Sequence, residues 1–258
     1  MTELTSRKNE TVVSMKRLGA SAEFRRERQE FFCDGEKLLA EAVKNGAEIR
    51  TVLCVSEPET ELPSGVRVYR VPEDVLRSVS PMKNPGGTVF SAAMPEEARG
   101  LSGQMLVLEN VQDPGNVGTV IRTANALGVE TVALVGACAD PFHPKTVRST
   151  MGAIFRQRVV RSELSELRRY TESGGVLYGA ALSGESVSVL DVSLSGASVA
   201  VGSEGRGLSQ ELLALCTGKI IIPMNPACES LNDAAAADIL LWEMRREAFL
   251  QGRGEKNV

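Results

Sequence analysis

Apolar and polar positions alternate in short runs over the first ninety residues of the chain. The pattern predicts strands at residues 49–55, 66–71 and 87–91, and helices at 36–44 and 72–79. Residues 1 to about 30 are charged and helix-prone. We therefore expect a small α/β unit with a helical N-terminal extension.

A second alternation follows residues 94–103, which carry no periodicity and are typical of a linker. Strand-like runs lie at 105–108, 131–135, 175–180, 198–201 and 219–222, with helices near 116–127, 162–171 and 208–215 and a long helix at 232–250. Strands that alternate with helices predict βαβ units and a parallel sheet. In such sheets ligands bind at the carboxyl ends of the strands, where the strand order reverses. We place the two domains at 1–96 and 97–258.

The composition, 43% hydrophobic and 24% charged residues, is ordinary for a globular protein. The N-terminus has no apolar signal-like region, and no apolar stretch approaches the roughly 18–20 residues of a membrane span. We therefore expect a cytoplasmic protein without a membrane partner. Because the chain has one histidine and five scattered cysteines, we expect no metal site and buried, reduced thiols. The cysteines are Cys33, Cys54, Cys138, Cys216 and Cys228.

A net charge of −4 argues against a protein that coats nucleic acid without specificity. Seven basic residues nevertheless lie between residues 145 and 169, against Glu163 and Glu166, and a smaller basic surplus lies between residues 7 and 28. Such stretches suit docking on one structured anion. A solvated charged face is the alternative.

The first candidate segment is a buried strand that runs into a turn and a helix, at residues 106–128. Pro114 suits the first position of that helix. Asn116 and Arg122 are six residues apart and therefore lie roughly 120° apart around the helix axis. They need not face the same pocket of one subunit, and a helix-capping Asn116 with a solvated Arg122 is the alternative.

Two further segments follow strands in the second half of the chain. Residues 199–208 carry three glycines in a Gly-x-x-Gly-x-Gly spacing, which allows a ligand to approach the backbone closely and places Glu204 at the loop tip. In residues 220–232 a strand ends at Pro223 and an irregular loop leads into a helix whose first turn has small side chains. Ser230 or Asn232 is a natural N-cap, and capping alone would account for Asn232.

In this order and spacing, the three segments resemble the motifs of the SpoU/TrmH family of RNA 2′-O-ribose methyltransferases, within the SPOUT superfamily. The matching residues are Asp113-Pro114, Asn116-Val-Gly118, Arg122-Thr-Ala124, Gly202-Ser-Glu-Gly-Arg-Gly-Leu208, Ile222-Pro-Met224 and Ser230-Leu-Asn232, with Val147-Arg-Ser-Thr-Met-Gly-Ala153 between them. Residues 31–94 resemble, less specifically, the ribosomal-protein-like substrate-binding domain often fused in front. Two departures are Asp233-Ala234, where the family usually has Val-Ser, and residues 225–229, which lack its usual glycine.

The resemblance implies a C-terminal parallel-sheet α/β domain with a deep trefoil knot, preceded by a small α/β RNA-binding domain. It implies methyl transfer from S-adenosylmethionine to a ribose 2′-hydroxyl of RNA, with ribosomal RNA favoured, in a homodimer whose active site is shared between subunits. The residues that it assigns to the cofactor are Gly202, Ile222 and Leu231. Those that it assigns to the reaction site are Asn116, Arg122, Glu204, Ser230 and Asn232.

We hypothesise that Arg122 binds the substrate phosphate and ribose, with Glu204 orienting it. The resemblance also suggests Arg122 as the general base. A guanidinium group holds its proton too tightly to be a good general base at neutral pH. Either the RNA phosphate assists Arg122, or Arg122 acts electrostatically and Glu204 or water takes the proton. The long helix at 232–250 offers apolar surface for a dimer interface or for ordinary core packing.

Four other functions are alternatives to this one. A transfer RNA methyltransferase and a non-catalytic RNA-binding or ribosome-assembly protein on the same fold stay open. A dinucleotide-dependent oxidoreductase would need Gly-x-Gly-x-x-Gly after its first strand, which is absent. A serine hydrolase has only the isolated Ser80-x-x-Lys83 spacing in its favour.

Overall fold

The computed structural model describes residues 1–82, 85–96 and 100–252, so that Lys83 and part of the predicted linker lie outside it. The chain forms two compact units. One comprises residues 1–96 together with residues 140–156, and the other comprises the rest of the described chain. The sequence pattern had placed residues 140–156 in the second domain, but Val147 and Ile154 lie in an apolar core of the first unit. The functional division into two domains at residue 96 stays a prediction.

The helices and strands are numbered in chain order. Up to residue 96 they are β1 (Thr2–Glu3), α1 (Glu10–Ala20), α2 (Ala22–Arg28), β2 (Glu30–Asp34), α3 (Glu36–Lys44), β3 (Ile49–Cys54), β4 (Arg67–Arg70), α4 (Glu73–Val79) and β5 (Thr88–Ala93). They continue with β6 (Met105–Glu109), α5 (Pro114–Leu127), β7 (Thr131–Val135), α6 (Pro144–Ser149), β8 (Arg158–Ser162), α7 (Leu164–Glu172) and β9 (Leu177–Ala180). The last are β10 (Val187–Ser188), β11 (Ser198–Gly202), α8 (Gln210–Leu213), β12 (Gly218–Ile221) and α9 (Asp233–Gly252).

The first unit is built on a five-stranded sheet in the order β1-β4-β3-β5-β2. Strands β3 and β4 run parallel, whereas β5 runs antiparallel to both β2 and β3. Phe31 and Cys33 of β2 join one apolar core and Phe32 joins another, because successive side chains of a strand point to opposite faces. Both faces of the sheet are therefore covered.

Strand β2 was not predicted from the sequence, and its burial explains why. All of its residues except Asp34 are buried, including Glu30, whose carboxylate accepts a 2.6 Å hydrogen bond from the Ser91 hydroxyl. A strand covered on both faces shows no alternation of apolar and polar residues, so periodicity does not reveal it.

The second unit contains a seven-stranded sheet in the order β10-β12-β9-β11-β6-β7-β8, with every pairing parallel. The predicted parallel α/β architecture of this half is therefore confirmed. The chain proceeds outward from β6 through β7 to β8 and then returns to the other side of β6. The strand order thus reverses between β6 and β11.

Several charged residues and thiols differ from the sequence-based picture. The basic stretch 145–169 is divided, since Lys145, Arg148 and Arg156 belong to the first unit and the later residues to the second. Arg25 of the N-terminal surplus is buried, where it pairs with Asp140 at 2.7 Å and so has a structural role. The prediction of buried thiols is confirmed for Cys33, Cys54 and Cys138 and is wrong for Cys228, which is exposed.

Helix α9 is the longest helix of the described chain, and it packs against α5. None of the helices in the described ranges combines the length and the apolar character that a bilayer crossing requires.

Candidate active site

A cavity of about 560 Å³ opens in the second unit at the carboxyl ends of β9, β11 and β12. Its walls come from residues 180–183, 201–208, 219–222 and 229–231, together with Asp233 from the start of α9. Strand β11 lies beside the point where the strand order reverses. The cavity therefore lies at the carboxyl edge of the sheet, where parallel α/β sheets bind ligands, on the β11 side of the reversal.

The loop after β11 forms one wall of the cavity, and its sequence requires glycine. A Cβ on Gly202 would collide with the main chain of Gly207, which forms an isolated bridge with Ser203. Gly205 and Gly207 adopt φ angles of +80° and +64°, which residues with a side chain rarely adopt. The loop is thus a tight hairpin that presents backbone to the cavity.

Glu109 holds the end of this loop in place. It lies at the end of β6, is 3% exposed, and accepts hydrogen bonds from the Ser209 main-chain N–H at 2.7 Å and the Ser209 hydroxyl at 2.6 Å. The Ser209 hydroxyl oxygen in turn accepts from Leu212 N and caps α8. Sequence reasoning missed Glu109, although an acidic residue at the end of an otherwise apolar strand was a usable signal.

The third segment supplies the opposite wall. Ile222, Ser230 and Leu231 line the cavity, whereas Asn232 is absent from its walls. The Asn232 Oδ1 atom accepts hydrogen bonds from Ala234 N at 3.0 Å and Ala235 N at 3.4 Å. Asn232 is therefore the N-cap of α9, in agreement with the structural alternative considered from the sequence.

Five of the eight predicted site residues lie around this cavity. They are Gly202, Glu204, Ile222, Ser230 and Leu231. Besides Asn232, the two residues that do not line it are Asn116 and Arg122, both on α5.

Helix α5 begins as the sequence predicts, with Pro114 at its first position. Its N-cap is Asp113, whose carboxylate accepts from Gly115 N at 2.7 Å and Asn116 N at 3.0 Å, so Asn116 is not the cap. Arg122 is exposed and makes no hydrogen bond or ion pair with any residue that the structure describes. Its guanidinium is therefore available to a molecule outside the chain.

Charged side chains around the cavity include more acids than unpaired bases. Glu204, Glu229 and Asp233 supply carboxylates, and Arg206 and Lys219 supply positive charge. Lys219 is neutralised by Glu185 at 2.7 Å. Burial, followed by the nearby Glu204 carboxylate, raises the pKa of Asp233, although the Glu204 main-chain N–H opposes this shift.

The cavity can hold a ligand that combines a flat apolar group with a positive charge. Val201, Ile220 and Leu231 provide apolar surface, the Gly202 loop provides exposed backbone, and the acids provide negative charge. Its volume lies in the usual range for small-molecule sites. These properties fit S-adenosylmethionine, which carries an adenine ring and a sulfonium.

Comparison with known proteins agrees with this geometry. Residues 103–242 match the model of the SpoU rRNA Methylase family, and residues 9–89 match the MRM3-like substrate binding domain. The chain is 35% identical to the Bacillus subtilis 23S rRNA (guanosine(2553)-2′-O)-methyltransferase RlmP, over 95% of this chain and all of that protein. It is 28% identical to the human mitochondrial rRNA methyltransferase 3, over 91% of this chain and 71% of that protein.

Solved structures give the same result. The AdoMet-bound rRNA methyltransferase from Sinorhizobium meliloti superposes with a TM-score of 0.85 at 32% identity, covering 95% of this chain and 98% of that one. The sequence-based assignment to an S-adenosylmethionine-dependent enzyme that methylates RNA at the ribose 2′-oxygen is confirmed. By its family model and its nearly full-length relatives, the chain belongs to the SpoU rRNA methylase family.

Proposed function

We propose that this protein methylates a ribose 2′-hydroxyl of large-subunit ribosomal RNA, and that the cavity beside β11 is its cofactor site. The observation that carries the proposal is the meeting of Gly202, Ile222 and Leu231 with Glu204 and Ser230 around one cavity. The Bacillus subtilis relative acts on a guanosine of 23S rRNA, and relatives from Streptomyces viridochromogenes and Streptomyces laurentii act on a uridine and an adenosine. Because the base differs among them, the proposal concerns the RNA and not the base.

The residues around the cavity fit S-adenosylmethionine. Ile222 and Leu231 would hold the adenosine by apolar contact, and the backbone of the Gly202 loop would form hydrogen bonds with it. The cofactor supplies an electrophilic methyl group when bound. The protein then has to position the ribose 2′-oxygen in line with that methyl group and accept the hydroxyl proton.

In this mechanism Arg122 binds the substrate phosphate and ribose and stabilises negative charge on the attacking oxygen. Arg122 acts electrostatically, and Glu204 or water takes the proton from the hydroxyl. Glu204, at the exposed tip of the cavity loop, orients Arg122, while Asn116, Ser230 and Asn232 hold the loops and the target nucleotide. Asn232 would do so as the cap of α9.

Arg122 does not line the cavity of its own chain, so the proposed site is completed by a second copy. In a homodimer, Arg122 of one subunit would serve the cavity of the other. The exposed side chains of α9 support this assembly, since Ile239, Trp242, Phe249 and Leu250 are all at least 38% exposed. The Trp242 and Phe249 rings stack at a centroid distance of 5.8 Å and so form a continuous apolar surface.

The remaining parts of the proposal rest on the family resemblance. We assign the first unit to RNA binding, in keeping with its match to a substrate-binding domain model over residues 9–89. We also propose that the second unit carries the deep trefoil knot of its family and that the protein works in the cytoplasm.

The role of Arg122 is tested by the pH dependence of single-turnover methylation. We expect Arg122→Lys and Arg122→Gln each to lower the rate by at least about tenfold. This is the size of effect that the loss of one charge-assisted hydrogen bond would have on the rate. The pH at which the rate is half-maximal should stay unchanged in Arg122→Lys. A shift of that midpoint in Arg122→Lys, with none in Glu204→Gln, would instead identify Arg122 as the base.

The proposed substrate is tested by mapping 2′-O-methyl groups in ribosomal and transfer RNA from cells with and without the protein. We expect the loss of one site in large-subunit ribosomal RNA. Loss of a methyl group from transfer RNA instead would show that transfer RNA is the substrate. If no site is lost in either RNA, the result would favour a non-catalytic RNA-binding or assembly role.

A further inference from the structure

Asp233 is a buried acid in the cavity to which neither the motifs nor the comparisons assign a role. It occupies the first position of α9, directly after the Ser230-Leu-Asn232 motif, where the resembling family usually has valine. The residue is 8% exposed, yet it contributes to the cavity wall. A valine at this place would provide only apolar surface.

The hydrogen-bond partners of the Asp233 carboxylate are main-chain groups. No side chain in the described ranges donates a hydrogen bond to it, and the nearby donors are the main-chain N–H groups of Glu204 and of Asp233 itself. An ionised carboxylate offers about four acceptor positions, so two main-chain N–H groups leave room for a ligand and do not neutralise the charge. A buried charge with unused acceptors is costly unless a ligand supplies the missing partner.

The other charges around the cavity do not supply that partner. Lys219 is engaged by Glu185, and Glu204 repels Asp233 instead of neutralising it. Arg206 lies in an exposed loop position, where solvent weakens its attraction. The region around Asp233 therefore favours a positively charged ligand.

The cofactor changes its charge in the reaction. S-adenosylmethionine carries a sulfonium, and S-adenosylhomocysteine, the product, carries a neutral thioether. As the C–S bond breaks and the C–O bond forms, the positive charge leaves the sulfur and the proton leaves the ribose oxygen. A carboxylate near the sulfur therefore attracts the substrate form and not the product form.

We propose that the Asp233 carboxylate is the counter-charge for the sulfonium, so that the cavity binds S-adenosylmethionine in preference to S-adenosylhomocysteine. The inference rests on the proposed cofactor site. Loss of the attraction after methyl transfer promotes release of the product. Asp233 thereby determines cofactor specificity in this chain, at a position where relatives of the usual pattern have no charge.

An acid at the first position of a helix also has a purely structural explanation, because it interacts favourably with the helix dipole. The two roles differ in one measurable quantity, the ratio of the two dissociation constants. If Asp233 is only structural, its removal should weaken the binding of both ligands equally. If it is the counter-charge, its removal should weaken the binding of S-adenosylmethionine, which has the sulfonium, more than that of S-adenosylhomocysteine.

The test is calorimetric binding of each ligand to the full-length protein and to Asp233→Asn, with the melting temperature recorded for both. We expect Asp233→Asn to weaken S-adenosylmethionine binding about tenfold and S-adenosylhomocysteine binding by less than about twofold. If Asp233→Asn folds poorly, Asp233→Ser is measured in its place, because serine is also favourable at the start of a helix. It should show the same selective loss.

Glu229→Gln is the matched control for position, because Glu229 is another acid of the same cavity but is exposed. It should change the ratio much less than Asp233→Asn does. Equal weakening of both ligands in Asp233→Asn, or an equal change of the ratio in Glu229→Gln, would overturn the assignment to Asp233. Failure of the unmodified protein to bind either ligand would overturn the cofactor site itself, and this outcome is distinct from both.

Discussion

Single residues determine the shape of the cofactor cavity through the space that they leave empty. Gly202 has no room for a side chain, because the Gly207 main chain occupies the position of a Cβ. Asp233 has the opposite property, since it brings a carboxylate into a place where an apolar side chain would be ordinary. Both residues line the same cavity of the second unit.

We expect Gly202→Ala to force the hairpin open and to weaken S-adenosylmethionine binding by at least about tenfold. Calorimetry measures this directly. The matched control is Gly184→Ala, because Gly184 has free space around its Cα and an ordinary φ angle. Similar affinities for the two variants would contradict the close packing of the hairpin.

The environment of His143 indicates how the stability of the first unit depends on pH. Burial, followed by the charge of Arg25, lowers the pKa of His143, so its neutral form is favoured in the folded state. Protonation therefore favours unfolding, and stability falls as the pH drops below about 6.5, the ordinary value for histidine.

The His143 Nδ1 atom accepts a 3.2 Å hydrogen bond from Lys145 N and caps α6, a role that asparagine can fill. We expect His143→Asn to lose less stability than the unmodified protein between pH 7.5 and 5.5, measured by urea unfolding. An equal loss in both proteins would assign the acid sensitivity to other groups.

At the scale of elements, the parallel sheet positions the site by bringing three strand ends together. Strands β9, β11 and β12 end at the cavity, and β6 ends at Glu109 beside them. Strand β8 was missed in the sequence because its two arginines were interpreted as part of a basic stretch. It lies at the edge of the sheet, where one side of a strand is open and charged side chains are tolerated.

The contact between β6 and the start of α8 should be strong, since a buried carboxylate accepts two hydrogen bonds from Ser209. We expect Glu109→Ala to lower the free energy of unfolding by about 2 kcal/mol, because the Ser209 donors lose their acceptor. Urea denaturation checks the value. Glu211→Gln, at an exposed position of α8, is the control and should change stability by less than about 0.5 kcal/mol.

At the scale of the whole molecule, the proposed homodimer would bring Arg122 of one subunit to the cavity of the other, since Arg122 does not line the cavity of its own chain. The apolar side chains that α9 leaves exposed are the candidate contact surface. Other apolar residues of the same helix, such as Leu240 and Leu241, are buried within the second unit.

We expect Trp242→Glu to convert the proposed dimer into monomers, because it places a charge in the apolar surface formed with Phe249. Sedimentation velocity measures the change, and methylation activity should fall with it. Leu190→Glu, at a residue that is 68% exposed elsewhere in the unit, should leave the assembly intact. A Trp242→Glu protein that sediments as the unmodified one would exclude this surface as the interface.

The sequence by itself determined the parts of this protein that depend on local pattern. Alternating apolar runs predicted the parallel α/β sheet, and the resemblance of two loops to family motifs implied that Gly202, Ile222 and Leu231 would share a site. Strand patterns and motif spacings are local features of the chain, so they can be recognised in the sequence without knowledge of its tertiary contacts.

The tertiary structure decided what depends on packing between distant segments. It placed residues 140–156 in the first unit, revealed β2 as a strand covered on both faces, and brought Glu109 to Ser209 across 100 positions of the chain. It also showed that Asp233, which departs from the family motif, is a buried acid in the wall of the cavity. Local periodicity cannot specify such partners, because the free energy that selects them comes from burial and hydrogen bonding between residues far apart in sequence.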